Sequence, residues 1–259
     1  MFLPKNKQHE AMVIEGKPLV GRPVKQLSMQ PIPWMHLIST DTIRTEVTDT
    51  IAELEVELAK DANSFRGGEH RSVRKQFAKL SLLFGIVHNY EKKLPWQEQA
   101  RQASIHFNAT AYTCRTGTLQ VRDQAIKSLG LLRNFVIDNH KTDFRIGGPC
   151  ISLPNRSLLM NIQEEEIQKI TSGIQNPDDL VKKSVGLKRS AQLIGSIAQL
   201  LSWQGMDDAN DKEYVKHAGE TVAYAHAFAK AAAISEHKVS ATAFSKLKNS
   251  CTKCHAEYR

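Results

Sequence analysis

From Thr40 onward the apolar residues of this chain recur every three or four positions. Ile43, Val47, Ile51, Leu54 and Leu58 share one face, the mark of an amphipathic helix. Thr40 or Asp41 suits its N-cap, and Gly67-Gly68 ends the segment. Val73, Phe77, Leu80, Phe84 and Val87 make a second stripe. Leu94-Pro95-Trp96 is expected to open a third helix with proline in its first turn. That helix carries Trp96, Ala100, Ala103, Phe107, Ala111 and Cys114 before Gly117 breaks it. Val121, Ala125, Leu129, Leu132 and Val136 give a fourth.

Gly147-Gly148-Pro149 and Pro154 interrupt the pattern, which then starts again. Met160, Ile167, Ile170 and Ile174 form one stripe, and Val185, Leu193, Ile197, Leu200 and Leu201 the next. After a polar turn at 206–211 come Tyr214, Ala218, Val222, Ala225, Phe228 and Ala232. Val239, Ala243, Leu247, Cys251, Cys254 and Tyr258 close the series. Four helices with short connections and one apolar stripe each predict an up-down-up-down bundle. The chain is therefore expected to be all-α. It would hold two tandem four-helix bundles, at 40–146 and 147–259, each large enough for one core. Residues 1–39 contain Pro4, Pro18, Pro23, Pro31 and Pro33 with little periodicity, and read as an irregular arm.

The two series superpose. A constant shift of 118 lays Trp96 on Tyr214, Ala100 on Ala218, Val121 on Val239, Ala125 on Ala243 and Leu129 on Leu247. The preceding helices match at a shift of 113, with Leu80 on Leu193. The five-residue difference falls in a turn, where length varies freely. An internal duplication explains this ungapped match better than shared helical periodicity does.

Composition narrows the function classes. Hydrophobic content of 41% with a mean hydropathy of −0.38 fits a soluble globular chain. No apolar run reaches the ~18 residues that span a bilayer. The net charge is +8, but without a basic stripe interleaved with aromatics, so nucleic-acid binding is not expected. Acidic partners remain compatible with it. No Ser/His/Asp, Cys/His or paired-carboxylate constellation points to an enzyme.

The chemistry lies in Cys251-Thr252-Lys253-Cys254-His255. C-x-x-C-H is the attachment signature of c-type haem. Two thiols three residues apart share a helix face and add to the two haem vinyl groups, while the following imidazole rises under the iron. A zinc site wants a second ligand pair, which Cys114 and Cys150 do not form. A redox dithiol should open a helix after a strand, whereas this motif closes a helix. His217, His226 and His237 are scattered and read as surface or hydrogen-bonded groups, and Glu164-Glu165-Glu166 as a solvated face. Cys114 and Cys150 suit a disulfide if the chain is exported, or Cys114 a buried apolar position.

A haem motif ending the fourth helix of a bundle resembles the cytochrome c′ family. The resemblance covers 156–259 well and 40–146 only as fold and repeat. There Arg133, Val136 and Ile137 stand at the positions of Cys251, Cys254 and His255, so one covalent haem c per chain is expected. The resemblance implies that His255 is the proximal iron ligand and that Arg259 pairs with a haem propionate. It also implies that a first-helix residue covers the other face of the iron. Met160 there would give low-spin haem for electron transfer with a redox partner protein. Leu159 covering an open iron would give a five-coordinate binder or sensor of nitric oxide or carbon monoxide. A haem-free helical interaction protein is the third reading. Haem attachment of this kind follows export, so a periplasmic or otherwise exported location is expected, although no signal-peptide apolar region is visible near Met1. The fused units would mimic a dimer within one chain, or the chain would form a homodimer.

Overall fold

The computed structural model describes residues 32–138, 140–144 and 154–258. Within them the chain is all-α and has no strand. The helices are α1 (Trp34–Leu37), α2 (Thr40–Ala59), α3 (Ala62–Ser64), α4 (His70–His88), α5 (Ala100–Thr113), α6 (Leu119–Val136), α7 (Arg156–Gly173), α8 (Pro177–Leu201), α9 (Lys212–Ala233) and α10 (His237–Tyr258). None of them is long and apolar enough to cross a membrane.

Side chains cap most of the long helices, and for α2 the cap is Ser39, just before the expected Thr40 or Asp41. Ser39 accepts from Thr42 N, Thr118 from Val121 N, Asn155 from Ser157 N, and Asp211 from Glu213 N and Tyr214 N. Asn176 caps α8, with Pro177 in its first turn. Each cap satisfies one or two of the amide groups left open at a helix start.

The helix after Pro95 begins later than the sequence suggests. Trp96 adopts φ +70, which breaks a helical run. Gln97 stitches the turn instead, accepting from Leu94 N at 3.2 Å and donating to Tyr90 O at 2.9 Å. The Trp96 ring lies edge-on to Phe84, 6.1 Å between centroids. Trp96 therefore packs on the core from a loop, and α5 starts at Ala100.

The described part of the arm is also not irregular. α1 seats Trp34, Leu37 and Ile38 in the core. Leu37 lies in a notch over Gly195 of α8, where an added Cβ would come within 2.9 Å of it. Glu91 accepts from the amides of Trp34 and Met35, at 2.8 and 3.0 Å, and Tyr90 Oη donates to Ile38 O at 2.8 Å. Residues 1–31 lie outside the described residues.

α4 packs against α2, α5 and α7, and α8 packs against α1, α7 and α9, with α10 on α9. One apolar cluster runs through α1, α2, α4, α5 and α6 into Leu158, Leu159 and Ile162 of α7 and Leu193 and Ile197 of α8. A smaller one joins Ile170, Leu187, Ile194, Phe228, Phe244 and Leu247. α8 thus serves both cores. Val185 and Val239, placed on apolar stripes by the sequence, are instead exposed. On α10 the phase that holds Ala243 and Leu247 continues back to Ser240, which is fully buried.

Charged residues occupy the seam between the two halves. Glu46 of α2, 4% exposed, has Lys79 Nζ of α4 at 2.5 Å and Arg189 Nε of α8 at 3.3 Å. Arg189 reaches Asp49 as well, at 3.0 Å. The acidic run of α7 departs from the solvated face expected of it. Glu166 is buried and paired with Lys169 at 2.7 Å, and Glu165 pairs with Lys75 of α4. The reason is tertiary: α7 is covered by α8 and by α4, so only part of its circumference meets water.

Candidate functional site

α10 brings the cysteine motif to the cleft between α7, α8, α9 and α10. Its buried line, Ser240, Ala243, Leu247 and Ser250, continues into half-buried Cys251, Cys254 and His255. Lys253 between the cysteines is exposed. Facing them across the cleft are Met160, Gln163, Glu164 and Ile167 of α7. Ala198 and Leu201 of α8 and Tyr214, Ala218 and Thr221 of α9 make the remaining walls. The cleft is narrow, with a cavity of about 50 Å3 that opens to solvent. Met160, Cys251, Cys254 and His255 therefore line one space. Leu159, the other candidate for the distal position, is fully buried in the larger core.

A polar frame holds the mouth of the cleft. Arg156, at the start of α7, pairs with Asp208 at 2.5 Å and donates to Tyr258 O at 3.3 Å. Tyr258 Oη donates to Asp211 Oδ1 at 2.9 Å. The Arg156 guanidinium stands 4.9 Å from the Tyr214 ring centre, and the Tyr258 ring meets Tyr214 edge-on at 5.2 Å. Backbone amide and side-chain hydrogen bonds hold the Asp211 carboxyl below the usual carboxylate range. Deeper in, Thr221 Oγ1 lies 3.1 Å from Ser250 Oγ, joining α9 to α10 beside the cysteines. His217 Nε2 sits 3.2 Å from Glu257, so this histidine is a hydrogen-bonded structural group, as its sequence context suggests. His237 lies 3.4 Å from Ile174 O.

The thiols are free, and burial pushes Cys251 up to about 11 and raises Cys254 as well. That is the reverse of an activated redox dithiol, whose thiols are shifted down toward the thiolate. Among the described residues no group of three or more His, Cys, Asp or Glu side chains is gathered to hold a bare metal ion, so the four-ligand set of a structural zinc site is not assembled. Cys114 is a free, fully buried thiol pushed up to about 12 by burial. Cys150 and Arg259 lie outside the described residues.

The matching region of the first half is built differently. Arg133 points outward to Glu55 at 2.7 Å, Val136 is half-buried, and Ile137 is 59% exposed. Phe84, Phe107, Phe135 and Phe144 fill the interior, with centroids 5.0 to 5.7 Å apart along the chain Phe84–Phe107–Phe144–Phe135. On the repeat offsets Phe84 and Phe107 correspond to Ile197 and Ala225.

The sequence reading passed over Tyr214 as a stripe residue and did not single out Arg156 or Gln163. Periodicity reports that Tyr214 faces inward. It carries no information on whether the hydroxyl finds a partner. The chain shows no significant match to family models, to curated proteins or to solved structures.

Proposed function

We propose that this chain is a monohaem c-type cytochrome, similar to the cytochrome c′ family and serving electron transfer in an exported, periplasm-like compartment. The observation that carries the reading is the convergence of Met160, Cys251, Cys254 and His255 on one cleft walled by four helices. The donor set suits a haem better than a bare ion. Two thiols at a three-residue spacing hold a porphyrin edge as thioethers, and one imidazole and one thioether sulfur serve its iron. When bound, the haem supplies a one-electron carrier.

In this reading Cys251 and Cys254 anchor the group, and His255 ligates the iron from α10. Met160 ligates it from α7, an arrangement that raises the reduction potential. A flat ring would enter beside the small side chains Ala198, Ala218 and Thr221, with the walls of the narrow cleft parting around it. The fold is then two fused four-helix units, α2, α4, α5 and α6 in the first and α7 to α10 in the second, with the haem-free unit standing where a dimer partner would.

The test is expression of the full chain in a periplasm that contains the haem-attachment machinery. A mass gain of one haem and sharp low-spin bands in the ferrous absorption spectrum are expected. Met160→Ala should keep the haem and turn the spectrum broad and high-spin. A wild-type chain with no added mass ends the haem reading. A wild-type spectrum that is already high-spin makes the protein a five-coordinate gas binder instead.

A further inference from the structure

The cleft contains a buried polar group without a hydrogen-bond partner among the described residues. The Tyr214 side chain is 1% exposed. Its hydroxyl is closed off from solvent and has no hydrogen-bond partner among the described residues. The neighbouring polar groups are committed elsewhere: Arg156 to Asp208 and Tyr258 O, Tyr258 Oη to Asp211, and Thr221 Oγ1 to His217 O and Ser250. Tyr214 lines the same space as Met160, Cys254 and His255. Buried hydroxyls are rarely left unpaired, because desolvation costs as much as a hydrogen bond returns. Such a group in a binding cleft marks where an occupant presents an acceptor. The Arg156 guanidinium over the ring draws electron density from the phenol and makes it a stronger donor.

Resting on the haem reading above, we propose that Tyr214 Oη is the donor that binds a haem propionate and sets the orientation of the ring in the cleft. A haem c has its two vinyl positions taken by Cys251 and Cys254 and its pyrrole nitrogens on the iron. With Met160 at the sixth position, the propionate carboxylates are the acceptors that remain. A buried phenol with a cation over its ring has the chemistry to recognise a carboxylate. Tyr214 is a positioning residue, since it touches the cofactor away from the iron.

The experiment uses the full haem-loaded chain and its Tyr214→Phe variant, which removes one oxygen and leaves the packing in place. The variant should gain one haem and melt close to wild type. Its propionate-bending band in the resonance Raman spectrum should fall by a few wavenumbers. The ionisation that bends the plot of midpoint potential against pH should move up by about one pH unit, because the carboxylate loses a donor to its charged form. A ring-fluorinated tyrosine at 214, a stronger donor, should shift both readouts the opposite way. An unchanged band and pH profile in haem-loaded Tyr214→Phe overturns the proposal while leaving the cytochrome reading intact. So does a change confined to the iron–ligand stretch, which would assign the hydroxyl to the sixth position. A wild-type chain without haem overturns both.

Discussion

The two halves of this protein solve the same packing problem with different material. In the first half Phe84, Phe107, Phe135 and Phe144 meet ring to ring in the core. In the second, Ala225 and Ile197 stand at two of those repeat positions, and Ala198, Ala218 and Thr221 border an open cleft. Aromatic volume packs a helical core without help from a cofactor. Where the side chains are small, a narrow cleft is left, and its lining forgoes some dispersion contacts. The halves differ equally at their outer ends. Arg133 and Ile137 face water where Cys251 and His255 face the cleft.

The sharpest way to break the comparison is to remove the two thiols of the cleft. On the proposed cytochrome reading, Cys251→Ala with Cys254→Ala should abolish the gain of haem mass completely. Hydrogen exchange should then accelerate in α9 and α10 while α4 and α5 stay protected. Equal loosening of both halves would show that the second core does not depend on an occupant. The opposite operation opens the filled half. Phe107→Ala removes a fully buried ring and should cost about 4 kcal/mol of unfolding free energy, read from denaturant midpoints, with haem content unchanged. The smallest effect concerns the mouth of the cleft. Asp211 has its pKa held down in the folded chain, so its contribution is present above the ordinary carboxylate range and is lost as pH falls below that range through the lower folded value. Below about pH 4 the first turn of α9 and the last turn of α10 should fray ahead of the first half, seen as selective amide exchange.

The all-helical class and most helix limits were legible because burial on one side of a helix imprints a period on the sequence. The repeat offsets survive in the structure: α6 and α10 begin at Leu119 and His237, 118 apart, and α4 and α8 end at His88 and Leu201, 113 apart. Single-helix periodicity reports one buried face, and it fails where a helix has two. Glu166 looked solvated because nothing local reveals that a second layer covers it. α1 was hidden by its prolines and its length, since four residues cannot display a period. Trp96 read as helical because Pro95 suits a first turn, although the backbone there takes a left-handed conformation. For the cleft, Cys251, Cys254 and His255 stood out as a motif. Met160 could be told from Leu159 only once the helix phase was known. Tyr214 stayed invisible, because an unpaired hydroxyl is a property of its surroundings.

The buried contact of Glu46 with Lys79 and Arg189 bears on inheritance. Lys79 shares its half with Glu46, whereas Arg189 crosses from the other half to both Glu46 and Asp49. Recombination that exchanged one half for a diverged copy would leave the buried Glu46 with Lys79 alone and take from Arg189 both of its carboxylates. A buried carboxylate that loses one of its two cations is less well compensated for its lost hydration. Exchange of either half alone is disfavoured on this account, and the two are expected to descend together as one heritable block.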